Sequence, residues 1–276
     1  MQIARNMDYR PVNTQNCAKR DIFVDLPEGR IAARRIDPPG GNTVDAPVMV
    51  FLHEALGCIA MWKDVPERLV AMTGLPALVY DRHGHGLSGP LARPREPDYL
   101  DRESFDVLPR VLAECDVTDP VLVGHSDGGS IALLYASRHR ARALVSEAAH
   151  VFVEDVTLAG IVSAVTAWRE TDLPKRLTKY HGDKTDALFS AWADCWRTDP
   201  FPSWNMEAAL PGISCPGLII QGEGDEYGSA AQVNAIANGM SGPATVMMVP
   251  DCNHIPHFQA ADRVLPAVAK FVMEQC

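Results

Sequence analysis

The amino-acid sequence predicts an α/β fold: a mostly parallel eight-stranded sheet with helices on both faces and a helical segment inserted after the sixth strand. Three observations carry that expectation. Short β-rich runs alternate with longer helical ones from residue 20 onward, the pattern of a parallel sheet covered on both sides. Several of the short runs are apolar without a break, as strands buried on both faces require. One of them leads through Gly124-His125-Ser126-Asp127-Gly128-Gly129 straight into a helical pattern, a strand–turn–helix join with a serine at its apex.

Taken in order, residues 22–26 and 31–36, separated by Pro27-Glu28-Gly29, read as a hairpin. The continuous apolar run at 48–53 is a buried parallel strand. Residues 60–72 have helical spacing, with Trp62, Val65, Leu69 and Met72 on one stripe. A strand at 77–80, a helix at 102–115, a strand at 121–124, a helix at 128–138 and a strand at 143–146 follow. Later come strands at 217–221 and 245–249, with helices near 229–238 and 258–274.

Residues 152–210 break this alternation. They contain no buried-strand run and hold Trp168, Trp192, Trp196 and Trp204, four of the five tryptophans. The chain therefore divides into a core, 1–151 and 211–276, and a helical lid, 152–210, over the C-terminal edge of the sheet, where ligands enter such folds. Large aromatics dominate burial, so each tryptophan is read first as packing the insertion onto the core. Their position also makes Trp168, Trp192 and Trp196, with Tyr180, candidates for the wall of a substrate pocket.

Composition narrows the function classes. With 47% hydrophobic and 22% charged residues the chain matches ordinary globular proteins, which excludes disordered and fibrous classes. A formal net charge of −10 argues against a nucleic-acid or anionic-membrane surface. The expected partner is a small-molecule substrate, and self-association into a homo-oligomer is left open. Seven cysteines, odd in number and without a C-x-x-C pair, fit reduced thiols in a cytoplasmic protein. The first twenty residues are polar and broken by Pro11, with no apolar core of a signal peptide.

The chemistry begins at Ser126. Flanking glycines let strand and helix approach closely, and the helix start presents free N–H groups to a developing oxyanion. A nucleophilic serine needs a base, and the base needs an orienting acid. Among nine histidines, His254 stands in the loop between the last strand and the last helix and is the first candidate. His257, three residues on, reads as opening that helix, and His125, inside the elbow, as facing away from the serine. The acid is expected in the loop after the preceding strand, where Gly222-Glu223-Gly224-Asp225 offers Asp225.

The order Ser126, Asp225, His254 within alternating strands resembles the α/β-hydrolase superfamily over roughly residues 20–275. The segment Asp81-Arg82-His83-Gly84-His85-Gly86-Leu87-Ser88 resembles that family's D-x-R-G-x-G-x-S turn, with His83 where glycine is commoner. The Ser-Asp-Gly-Gly elbow and the Gly-Glu-x-Asp acid loop are most similar to the valacyclovir-hydrolase (biphenyl-hydrolase-like) branch. The resemblance implies oxyanion donors at the backbone N–H groups of Ala55 and Asp127. It also marks a departure: His53-Glu54-Ala55-Leu56-Gly57 stands where H-G-x-x-G is usual, so Glu54 brings a carboxylate to the oxyanion loop. Glu54 either pairs with Arg82 or another cation, or binds a polar or cationic substrate group. Some relatives carry the acid after the sixth strand, which makes Glu147 a rival or auxiliary to Asp225. Asp127 reads first as a helix-dipole residue and second as an attraction for an ammonium group.

What the resemblance implies is a cofactor-free serine hydrolase that cleaves a carboxylic ester or thioester, with no metal required. Dehalogenase and epoxide-hydrolase activities are disfavoured, because those relatives use Asp where this chain has Ser126. A C–C bond hydrolase of the meta-cleavage type and a non-catalytic small-molecule receptor on the same fold are the alternatives. Acyl-enzyme accumulation with an activated ester separates the enzymes from the receptor.

Overall fold

The computed structural model describes residues 14, 16–41, 46–91 and 93–276. Its sheet has eight strands, β1 (Ala18–Leu26), β2 (Gly29–Asp37), β3 (Val48–Leu52), β4 (Ala77–Tyr80), β5 (Pro120–His125), β6 (Ala143–Glu147), β7 (Gly217–Gly222) and β8 (Ala244–Val249). They are ordered β1-β2-β4-β3-β5-β6-β7-β8. β2 runs antiparallel to both of its neighbours, and every pair from β4 onward is parallel. Every residue of β3 to β7 is buried, which is why these strands read as unbroken apolar runs. The hairpin is longer than expected because β1, at the sheet edge, is mostly exposed and carries no apolar run to mark its start.

Among the described residues the helices, in chain order, are α1 (Val65–Thr73), α2 (Tyr99–Arg102), α3 (Leu108–Glu114), α4 (Asp127–Arg138), α5 (Asp155–Glu170), α6 (Leu173–His181), α7 (Thr185–Arg197), α8 (Ala230–Gly239), α9 (Pro256–Gln259) and α10 (Ala261–Gln275). Strand side chains alternate between two cores. Met49, Phe51, Val121, Val123, Leu218 and Ile220 pack with α1 and α10 on one face. Val50, Leu52, Leu122, Leu144 and Ile219 pack with α3, α4 and α8 on the other.

Two predicted helices are subdivided. The one expected at 102–115 is α2, a π-helical turn over Glu103–Val107, and α3. Pro109 has no N–H to continue the α-helical ladder, and the chain re-registers ahead of it. The last helix starts earlier, as α9, and breaks at Ala260 before α10.

α5, α6, α7 and short 3₁₀ turns fill the connection from β6 to β7. Side chains from this segment reach the core. His181 Nε2 donates to the Leu56 carbonyl at 2.8 Å while its Nδ1 accepts from the Gly86 N–H at 3.0 Å. Lys184 Nζ donates to the carbonyls of Gly86 and Ser88 at 2.7 and 2.6 Å.

Candidate active site

Ser126 links β5 to α4 with φ 53° and ψ −119°, a left-handed backbone held by its surroundings. A Cβ at Gly124 would collide with the Gly128 carbonyl, and one at Gly128 with the Leu52 carbonyl, so the crossing of β5, α4 and β3 requires both glycines. The Ser126 N–H donates to the Glu147 carbonyl at 2.8 Å and ties the turn to the end of β6.

His254, in the loop after β8, places Nε2 3.0 Å from Ser126 Oγ and Nδ1 2.8 Å from Asp225 Oδ1. Asp225 follows β7, and its Oδ1 also accepts the Tyr227 N–H at 2.9 Å. A carboxylate only accepts, so the imidazole proton sits on Nδ1 and the Nε2 lone pair faces the serine hydroxyl. Burial opposes charging His254, but the hydrogen bond and charge of Asp225 prevail and raise its pKa above the ordinary value. The same pair outweighs burial at Asp225 and lowers its pKa.

The other candidates are engaged elsewhere. His257 is buried against Glu147 rather than Ser126, with its N–H and Nδ1 at 2.6 and 2.9 Å from the carboxylate. Glu147 consequently does not touch His254. His125 donates Nε2 to the His254 carbonyl at 2.8 Å, and burial pushes its pKa down to about 3, so it stays neutral.

Ser126, Ala55, Asp127 and His254 line a cavity of about 250 Å³. Asp127 is the first residue of α4, so its N–H has no acceptor within the helix. Thr157, Ile161, Leu173, Leu177, Trp192 and Trp196 cover the cavity from the inserted segment. Two of the expected wall residues lie elsewhere. Trp168 stacks on Phe189 at 3.9 Å, joining α5 to α7, and Tyr180 is 39% exposed on a separate groove beside Phe23 and Leu87. Sequence spacing places residues on a helix but not the helix face that meets the cavity.

Asp127 follows its first, structural reading, while the expected pairing of the Glu54 carboxylate with Arg82 is not formed. The Glu54 carboxylate accepts the Leu56 N–H at 2.6 Å, and Arg82 bonds the Glu54 backbone carbonyl instead of the carboxylate. Burial raises the Glu54 pKa, opposed by the Leu56 hydrogen bond and reinforced by the Asp127 charge. The Asp127 side chain, 2% exposed, pairs with Arg82 at 3.3 Å and accepts from Tyr99 Oη at 2.9 Å, so its charge is already compensated. Tyr99 Oη in turn accepts from Trp196 Nε1 at 2.9 Å, which connects the inserted segment to the elbow.

Sequence reasoning missed His150, whose Nε2 donates to the Tyr227 carbonyl at 3.0 Å beside the cavity, and Tyr227 itself. Neither stands in a motif. The cavity lining contains no lysine or arginine among the described residues. Among the described residues no group of three or more His, Cys, Asp or Glu side chains could hold a metal ion, and all seven cysteines are unpaired. No described helix is long and apolar enough to cross a membrane.

The model of the Alpha/beta hydrolase family matches residues 49–267. The chain is 25% identical over 201 residues to Serine hydrolase BPHL of Mus musculus, covering 71% of this chain and 68% of that protein. It is 26% identical over 191 residues to Serine hydrolase BPHL of Homo sapiens, covering 67% and 65%. The similarity thus spans about two thirds of those relatives' own length. Among solved structures, the enol-lactonase from Burkholderia xenovorans LB400 has a TM-score of 0.70 at 20% identity, covering 91% of this chain and 99% of that one. That likeness concerns the fold.

Proposed function

The chain belongs to the alpha/beta hydrolase family, and from that premise we propose that it is a serine hydrolase cleaving small carboxylic esters or thioesters through an acyl-enzyme on Ser126. The observation that carries the reading is the unbroken chain from Ser126 Oγ to His254 Nε2 at 3.0 Å and from His254 Nδ1 to Asp225 at 2.8 Å, on the wall of a cavity. The names of the mouse and human relatives support a serine nucleophile.

Ser126 Oγ attacks the acyl carbon and its proton passes to His254 Nε2, whose positive charge Asp225 stabilises. The carbonyl oxygen becomes an oxyanion that accepts from the N–H groups of Ala55 and Asp127. Collapse breaks the bond to the alcohol or thiol, which leaves with the proton from His254. Water then attacks the acyl-enzyme, giving its proton to His254, and Ser126 regains that proton as the acid departs.

A cavity of about 250 Å³ is small beside the ~300–1,000 Å³ of most ligand pockets and suits a compact, largely apolar substrate. With Glu54 and Glu226 in the lining and no lysine or arginine there among the described residues, neutral or amine-bearing esters are favoured over carboxylate-bearing ones. The unpaired cysteines support residence in a reducing cytoplasm.

The test is covalent. A fluorophosphonate should add one adduct, mapped to Ser126 by mass spectrometry, and Ser126→Ala should lose labelling and about 10⁶ in kcat. Adduct formation on another residue overturns the assignment.

A further inference from the structure

Arg82, 2% exposed in the turn after β4, is a buried cation that the mechanism above does not use. Its surroundings fix it tightly. The Asp81 carboxylate accepts the N–H groups of Ile59 and Leu87 at 2.6 and 2.8 Å, Ser88 Oγ donates to the Asp81 carbonyl, and the Arg82 N–H donates to His53 Nε2 at 3.1 Å. The guanidinium is held through its two terminal nitrogens, since Nε has no partner among the described residues. Nη2 donates to the carbonyls of Glu54 and His53 at 2.9 and 3.3 Å, and Nη1 to Asp127 Oδ2 at 3.3 Å.

These acceptors belong to the two segments that flank Ser126. In a trans peptide the carbonyl and the following N–H point in opposite directions. Drawing the Glu54 carbonyl toward Arg82, with His53 Nδ1 donating to the same oxygen at 2.7 Å, turns the Ala55 N–H the other way, and Ala55 lines the cavity. On the other segment, Arg82 and Tyr99 grip the carboxylate of the residue whose N–H opens α4. We propose that Arg82 is a positioning residue for the oxyanion hole: one guanidinium bridges both halves and sets the spacing of the Ala55 and Asp127 N–H donors. This rests on the serine-hydrolase reading.

A planar fork can engage two acceptors at once, whereas a lysine ammonium is a single point charge. The oxyanion exists only in the intermediate and its flanking transition states. Misplaced donors therefore lower kcat and leave ground-state binding alone.

The experiment compares wild type, Arg82→Lys, Asp127→Asn and Ser126→Ala on an activated ester. Arg82→Lys keeps the buried charge, and kcat should still fall on the order of 10²-fold with KM within about threefold. Affinity for a trifluoromethyl ketone, whose carbonyl accepts Ser126 Oγ while the proton moves to His254, should fall by the same factor, while affinity for the product alcohol should not change. Asp127→Asn keeps an oxygen for Nη1 and Tyr99 but weakens the bridge, and kcat should fall roughly tenfold. Full kcat in Arg82→Lys overturns the proposal, as does an equal loss of ketone and alcohol affinity. If Arg82→Lys does not fold, wild-type kcat in Asp127→Asn overturns it. A wild type with no Ser126-dependent acyl-enzyme overturns the serine-hydrolase reading instead.

Discussion

His257 holds Glu147 at both carboxylate oxygens: the backbone N–H reaches Oε1 at 2.6 Å and ring Nδ1 lies 2.9 Å from Oε2. The side chains are 6% and 5% exposed, so the pair ties the end of β6 to α9, directly after the loop that carries His254. Burial works against ionising Glu147, but the charge and hydrogen bonds of His257 prevail and lower its pKa. Two carboxylates thus have different duties: Glu147, at the end of β6, braces α9, and Asp225, in the loop after β7, orients the imidazole.

The variants Asp225→Asn and Glu147→Gln should separate those duties. Asp225→Asn should lose about 10⁴ in kcat, the effect of leaving a triad histidine in the wrong tautomer. Glu147→Gln should lose far less rate but roughly 1–3 kcal/mol of stability at pH 7, the cost of disturbing the buried hydrogen bonds that His257 makes to the carboxylate. Because the folded-state pKa of Glu147 is depressed, its contribution is present above the unfolded value and lost as pH falls through the folded one. Denaturant melts should therefore show the gap between wild type and Glu147→Gln closing in acid. A larger rate loss in Glu147→Gln than in Asp225→Asn would refute the division.

The pH profile follows from the raised pKa of His254. The base must be neutral to accept the serine proton, so kcat/KM should climb with pH along a limb centred above the ordinary imidazole value of about 6.5. Removing the Asp225 charge should move that limb to lower pH. A wild-type limb centred below 6.5 would contradict the arrangement.

Glu54 and Glu226 are the carboxylates of the cavity lining that no arginine pairs among the described residues, whereas Arg82 compensates Asp127, so a preference for substrate charge should follow from those two. For a matched pair of esters, the one with a distal ammonium should exceed the one with a distal carboxylate in kcat/KM by about tenfold, or ~1.4 kcal/mol. Glu54→Gln should shrink that ratio. A preference for the carboxylate ester would defeat the idea, because among the described residues the lining offers no lysine or arginine to receive it.

The tryptophans should divide by position. Trp168→Ala breaks the stack on Phe189 and should cost roughly 3 kcal/mol without changing relative rates across an ester series. Trp192→Ala opens the cavity wall and should shift the preference toward bulkier acyl groups. Unchanged selectivity in Trp192→Ala, read from kcat/KM over a graded series, would remove the inserted segment from specificity.

What the sequence by itself determined were features written in neighbouring residues. Strands β3 to β7 are buried on both faces and must be apolar throughout, so their runs are visible without a structure. The elbow is equally local, because a tight strand–helix turn at Ser126 demands glycines at 124 and 128. Asp225 and His254 were legible for a related reason, each standing in a short loop directly after a strand. Only the tertiary structure decided which of two carboxylates meets the imidazole, since Glu147 closes β6 and Asp225 lies just past the neighbouring β7, and their partners stand 110 and 29 residues away along the chain. It also decided that the Asp127 carboxylate pairs with Arg82, and that Trp192 and Trp196 face the cavity while Trp168 and Tyr180 do not. Those outcomes depend on where distant segments pack, and a one-dimensional pattern records a side chain's period but not its neighbour.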